Sequence, residues 1–368
     1  MSDTVRLAIV GCGGIAKAHL NGYKALRQKG YDRFVISAVC DPVHARGDEF
    51  AKLISEFQTD TPKVFTSVDA LLKARVCSAA DICTPHYDHH QSAVPCLDAG
   101  VDVMVEKPIG ITVRASRKII EAGEKRGCIV ATAENVRRYI GERAMRWAVV
   151  EQKMIGELRM FFVQGTAWSP PDLSREATQW RVDRLYSGGG PVMDSGAHYM
   201  DTVRHFFGDV DTLFAHARTF EKLEFAHPTR GQVAATVEDS WMATFKFKSG
   251  LIGVWSFSRS APGTPFKHAL YYGSEGSMED KDLFHHFCWT DGELTFKDGK
   301  KKSLKDIEVA YLLTLSEEQR QQLFPFGLTD GFSIECWDFV EACAHRRRPE
   351  VDGWDGLKAK AMSEAIYE

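Results

Sequence analysis

The feature that most constrains the fold is a glycine-rich turn near the amino terminus. An apolar run, Arg6 to Val10, ends on Gly11-Cys12-Gly13-Gly14-Ile15-Ala16, and residues Ile15 to Gln28 then take up helical spacing. A strand that runs through such a turn into a helix is the start of a βαβ unit, and its first helical amides point at whatever anion sits on the turn. Gly11 permits the tight turn, Gly13 lets backbone approach a pyrophosphate, and Ala16 takes the place of the third glycine where helix packs on strand. The spacing predicts a dinucleotide site contacted by Gly11, Gly13, Gly14 and Ile15.

The segments after this helix extend the unit. Phe34 to Cys40 reads as a second strand closed by Asp41-Pro42, and Ala45 to Phe57 as a helix. Lys63-Val64-Phe65 is a short strand, Val68 to Lys73 a helix opened by Ser67, Ala79 to Cys83 a strand closed by Thr84-Pro85, and His90 to Ala99 a helix stopped by Gly100. The run Val101 to Val105 leads into Glu106-Lys107-Pro108, and a helix (Arg114 to Arg126) and a strand (Cys128 to Ala133) close the series. Alternating strands and helices of this length form a doubly wound parallel sheet.

Beyond residue 133 the pattern changes. A helix from Gly141 to Lys153, a strand from Glu157 to Gln164, a polar and aromatic loop and a helix from Met193 to Phe207 are followed by period-two segments. Trp241 to Phe247 and Gly253 to Phe257 alternate inward and outward residues, with turns at Ser249-Gly250 and Gly273-Ser274. These are antiparallel strands. Helices at Ile334 to His345 and Leu357 to Tyr367 end the series. The expected architecture is α/β: a Rossmann dinucleotide-binding domain over residues 1–133, then an α+β domain over 134–368 with a large open, mainly antiparallel sheet. One aromatic-rich face of that sheet needs cover, and a second copy of the chain is the expected cover, giving a homodimer or homotetramer.

Composition limits the partners. With 44% hydrophobic and 26% charged residues over 368, and a formal net charge of -4, the chain has no basic excess for nucleic acid. No stretch is long and apolar enough for a membrane span. The amino terminus, from Met1, enters a strand pattern without a basic leader, and the nine cysteines lack C-x-x-C spacing, which fits an unexported protein in a reducing cytoplasm.

The chemistry-bearing residues sit at strand ends. Asp41 ends the second strand, where a carboxylate accepts from adenosine ribose hydroxyls and repels a 2′-phosphate, favouring NAD over NADP; Arg46 lies one turn on, beside the adenine. Thr84, Pro85 and His86 end the fourth strand at the level of a nicotinamide ribose. Lys107 is held at the end of a buried strand, where an open α/β sheet binds its ligands. The cluster His86-Tyr87-Asp88-His89-His90 lacks the spacing of a metal site, and no metal is expected. In the second half Gly188-Gly189-Gly190 precedes Asp194 and His198, four apart on one helix face, a carboxylate placed to orient an imidazole for proton transfer. Trp168, Trp180 and Arg181 offer aromatic faces and donors to a hydroxyl-rich ring, and Asn135, Arg138 and Tyr139 follow the last Rossmann strand as further contacts.

Taken in order, Gly11 to Ala16, Cys40-Asp41-Pro42, Thr84-Pro85 with His89, Glu106-Lys107-Pro108, Glu134 to Tyr139, and Gly189-Gly190 with Asp194, Gly196, His198 and Asp201 make the chain resemble the Gfo/Idh/MocA oxidoreductases. His86 stands where several members carry asparagine. The resemblance implies hydride transfer between nicotinamide C4 and a carbinol carbon of a sugar, glycoside or cyclic polyol. It implies that Lys107 bonds the reacting oxygen and that His198, oriented by Asp194, moves the hydroxyl proton. It adds His89, Glu106 and Asn135 to the NAD contacts and places Lys107, Arg138, Tyr139, Trp168, Trp180, Arg181, Asp194 and His198 around the substrate. Two rival outcomes of the same site are a redox-neutral glycoside cleavage by oxidation, elimination and reduction, and a non-catalytic sensor of NAD or sugar.

Overall fold

A computed structural model describes residues 4–227, 229–282, 288 and 290–368. Residues 1–3, on which the reading of an unexported chain partly rests, lie outside them. In chain order the first elements are β1 (Val5–Val10), α1 (Gly14–Gln28), β2 (Phe34–Cys40), α2 (His44–Ile54), β3 (Lys63–Phe65), α3 (Val68–Ala74), β4 (Ala79–Ile82), α4 (His89–Asp98), β5 (Asp102–Glu106), α5 (Val113–Arg126) and β6 (Val130–Ala133). The next are α6 (Ile140–Arg146), β7 (Leu158–Thr166), α7 (Glu176–Gln179), α8 (Arg184–Ser187), α9 (Ser195–Phe207), β8 (Val210–Arg218), β9 (Glu224–His227), β10 (Gly231–Ala234), β11 (Ser240–Phe247) and β12 (Ile252–Ser258). The chain closes with β13 (Phe266–Gly273), β14 (Gly276–Asp280), β15 (Gly292–Phe296), β16 (Lys301–Ser303), α10 (Leu304–Thr314), α11 (Glu317–Leu323), α12 (Gly331–His345) and α13 (Gly353–Ala365).

The described residues fall into two compact units: 1–138 with 319–358, and 139–318 with 359–368. This differs from the expected single break at 133/134, because α12 belongs to the first unit. Its Cys336, Phe339, Val340 and Cys343 pack into one core with Leu20, Tyr23 and Leu26 of α1 and Leu7 and Ile9 of β1.

In the first unit six strands pair in parallel in the order β3-β2-β1-β4-β5-β6. Strands β1 and β4 run side by side although the chain leaves β1 for β2, so the direction of strand order reverses there. Both faces are covered, which is why these strands read as unbroken apolar runs rather than alternating ones. All nine cysteines are unbonded, and burial pushes the thiols of Cys40 and Cys77 up to about 11.

The second unit is built on eight strands in the order β16-β15-β14-β13-β7-β12-β11-β8. All pairs are antiparallel except β7 with β12, because β7 is inserted between strands that come later in the chain. Its inner face packs on α9: Tyr199 stacks on Trp255 at 4.8 Å, and Phe207 lies 5.5 Å from Tyr271. Burial alternates along β11, with Trp241, Ala243, Phe245 and Phe247 inward. The expected helix over 141–153 is present over 140–151: after α6 it continues as a wider π-helical turn over Trp147–Glu151, where Gln152 N–H donates to Trp147 O, five residues back. Among the described residues no helix is long and apolar enough to cross a membrane.

Candidate active site

The glycine turn has the form a dinucleotide needs. Gly11 has φ +88°, and a Cβ there would stand 2.8 Å from Cys83 O, so only glycine fits between β1 and β4. At Gly13 and Gly14 a Cβ would meet nothing within 4 Å, and no side chain caps the start of α1. The first amides of α1 therefore open on space, a cradle suited to a pyrophosphate. Asp41 steadies it: Oδ2 accepts from Cys12 N–H at 2.9 Å and Oδ1 from Val43 N–H at 2.8 Å. Each oxygen keeps a second lone pair, although the residue is largely buried. Arg46 is exposed on α2.

The ends of β4 and β5 carry the next groups. Thr84 Oγ1 is buried without a hydrogen-bond partner, an orphaned polar atom at the carboxyl edge of the sheet. Lys107 is half-buried directly after β5, its N–H bonded to Glu106 Oε2 at 3.0 Å, and the Lys107–Pro108 peptide is cis. His89 is not available to a cofactor. Its ring is wholly buried, with Nδ1 2.9 Å from Pro108 O and Nε2 2.9 Å from Thr84 O, so it bolts the two strand ends together. Burial pushes its pKa down. His86 is also buried, its ring centroid 5.7 Å from that of His89. The carboxylate of Glu106 is likewise turned inward, with Oε1 2.9 Å from Nε2 of buried His19.

One substrate expectation on the segment after β6, that for Arg138, changes. Arg138 is 1% exposed and ion-paired with Asp338 and Glu350 at 3.1 Å, two carboxylates of the first unit. Asn135 and Tyr139 are buried, and Asn135 O accepts from Arg138 N–H.

In the second unit a cavity of about 670 Å³ opens beside the start of α9. Arg181 and Asp194 line it and are joined, Nε to Oδ2, at 3.0 Å. Trp168 and Trp180 do not line it; Trp168 is half exposed, and Trp180 lies under the Arg181 guanidinium at 4.4 Å. His198 is half-buried one turn along α9 from Asp194. The triple glycine serves packing as well as approach. A Cβ on Gly189 would stand 2.3 Å from Tyr367 Oη and one on Gly190 2.6 Å from Glu238 O, while Glu238 carboxylate accepts from Gly190 and Val192 N–H at 2.9 Å. Burial pushes the Glu238 carboxyl up. Sequence reasoning missed Phe257 and Arg259 on the cavity wall. Their signal was present: they continue the inward period of Trp255 along and past β12.

A parallel doubly wound sheet with an anion cradle at its first strand-to-helix turn, and a lysine at the carboxyl edge two strands away, defines the class of nicotinamide-dependent oxidoreductases. Residues 5–134 match the oxidoreductase family with an NAD-binding Rossmann fold, and residues 145–279 match the GFO/IDH/MocA C-terminal domain. The chain belongs to this family, and its cofactor is NAD. It is 27% identical to the 1,5-anhydro-D-fructose reductase of Ensifer adhaerens over 99% of this chain and 95% of that protein. It is 23% identical to the myo-inositol 2-dehydrogenase of Thermotoga maritima, over 98% and 95%. The fold is similar to that of a levoglucosan dehydrogenase in complex with NADH, with a TM-score of 0.78 at 20% identity over 99% of this chain and 96% of that one.

Proposed function

We propose that the chain is an NAD-dependent dehydrogenase that oxidises a secondary hydroxyl of a sugar, glycoside or cyclic polyol. The observation that carries this is the pairing, on one parallel sheet, of the open cradle at Gly13 and Gly14 with Lys107 at the end of β5. NAD supplies the hydride acceptor. Lys107 donates a hydrogen bond to the reacting oxygen and stabilises the charge that develops on it, a contribution of about 3 kcal/mol for such a donor. His198 takes the hydroxyl proton, a step worth roughly 10² to 10⁴ in rate. Asp194 and Arg181, joined to each other on the cavity wall, bond ring hydroxyls, and Phe257 offers an apolar face. The remaining lone pairs of Asp41 receive the adenosine ribose, which favours NAD over its 2′-phosphate.

The relatives' names, a sugar reductase and an inositol dehydrogenase, support the substrate class. The enzyme works as a homodimer or homotetramer joined through the outer face of the eight-stranded sheet, where Phe162, Phe214, Met242 and Ile252 are exposed. Its buried, unbonded thiols fit the cytoplasm. The test is NADH formation by purified protein over a broad panel of sugars, glycosides and cyclic polyols, preceded by thermal shift with NAD. NAD should raise the melting temperature and at least one polyhydroxylated ring should give NADH; no shift and no NADH across the panel would overturn the reading.

A further inference from the structure

The first unit holds a buried chain of side chains that NAD binding does not explain. His19 lies on α1 and is wholly buried. Its Nδ1 is 2.9 and 3.1 Å from the two carboxylate oxygens of Asp81 on β4, and its Nε2 is 2.9 Å from Oε1 of Glu106 on β5. Glu335 of α12 approaches the same Nε2 at 3.5 Å, and Tyr23, one turn along α1, donates to Asp81 Oδ2 at 3.1 Å. The other oxygen of Glu106 accepts the N–H of Lys107.

His19, Asp81 and Cys83 place donor atoms within 4.8 Å of one another, the spacing of a metal cluster. The arrangement argues against an ion. Within that set the atoms stand at hydrogen-bond distances from each other, Nδ1 at 2.9 Å from Asp81 Oδ2 and 3.6 Å from Cys83 Sγ. Burial pushes the Cys83 thiol up, away from the thiolate a metal takes. Carboxylates at both ring nitrogens favour the doubly donating, cationic imidazole, as the backbone carbonyls around His89 do not. Burial by itself pushes the pKa of His19 down, but Asp81 and Cys83 carry it well above the ordinary value. Burial pushes the carboxyl of Glu335 well up, against the pull of His19 and Arg138.

We propose that His19 is a positioning residue for Lys107: bridged between Asp81 and Glu106, it fixes the carboxylate that holds the Lys107 peptide, and so ties the helix beginning at the glycine turn to the lysine. The inference rests on the reading of Lys107 as the group that bonds the reacting oxygen. Without His19, Glu106 keeps one bond to its own neighbour and loses its buried partner. A buried carboxylate in that state turns outward or takes up a proton, and the end of β5 shifts with it. A displacement of about 1 Å at a reacting group costs on the order of 10²-fold in rate.

The test is His19→Gln, alone and combined with Lys107→Ala, assayed with the polyol that gives most NADH. In the otherwise native enzyme kcat should fall about 10²-fold, while KM and the NAD Kd stay within about threefold. In the Lys107→Ala background, read as slow residual NADH formation, the same change should cost less than about threefold, because the group it positions is gone. A merely structural role would lower both backgrounds alike and raise Kd and KM. Unchanged kcat, or an equal loss in both backgrounds, overturns the proposal. Full turnover by Lys107→Ala alone would overturn the reading of Lys107 instead, a separate result. Should His19→Gln fail to fold, Asp81→Asn weakens the opposite end of the bridge and should show the same split of kcat from KM.

Discussion

At the scale of single residues, buried polar groups are spent mostly on each other. Arg138, His89 and Glu106 all occupy positions where chemistry is expected, yet their partners lie inside the fold. Sequence shows residue type and strand end but not which way a side chain turns, and Asp338 and Glu350, the partners of Arg138, lie some 200 residues on. Gly11 was legible, since a turn between β1 and α1 demands it, and the clash with Cys83 O makes its replacement specific. Gly11→Ala should cost roughly 1–3 kcal/mol through its positive φ and should abolish the thermal shift by NAD; a full NAD shift in that variant would contradict the cradle. His19 makes a prediction about pH. Its folded pKa lies above the ordinary 6.5, so its protonation favours the folded state: the contribution is complete below about 6.5 and is lost as pH rises through the folded value. Asp81, Cys83, Glu106, Glu335, Cys336 and Tyr23 face it, and Glu335, also raised, adds a slope of the same sign that begins near 4.5. The denaturation midpoint of the native chain should therefore fall more steeply from neutral to mildly alkaline pH than that of His19→Gln. Parallel curves would contradict a protonated His19.

At the scale of elements, the legible parts were those whose burial leaves a strong pattern. The Rossmann strands are covered on both faces and read as apolar runs, and β11 alternates cleanly from Trp241 to Phe247. Strand β8 escaped notice because its contrast is inverted: Ala215 and Ala217 are the more buried positions, while Phe214 faces out. Helix α10 was also missed, although Ser303 and Asp306 form a capping box at its start. The position of α12 in the first unit could not be read at all, since periodicity shows that a helix has an apolar face but not which sheet receives it. That placement is testable. Phe339→Ala should destabilise the unit that carries the glycine turn by about 3–5 kcal/mol, seen as a lowered melting transition that saturating NAD partly restores; an unchanged transition would contradict the packing.

At the scale of the whole molecule, the second unit's sheet leaves large apolar side chains on its outer face. Phe214 and Met242 are 65% and 71% exposed and sit on neighbouring strands, β8 and β11, a concentration that a solitary surface rarely keeps. If a second copy covers them, the double change Phe214→Lys with Met242→Lys should convert the assembly to monomers in sedimentation while leaving NAD binding in place. An unchanged sedimentation coefficient would place the interface elsewhere. The central claim concerns chemistry, however, and depends on Lys107 acting on the substrate rather than on the cofactor. The most direct measurement is single-turnover NADH formation by Lys107→Ala beside its NAD affinity. The account predicts an NAD Kd within about threefold of the native value and hydride transfer slowed by about 10² or more; hydride transfer at the native rate would contradict it.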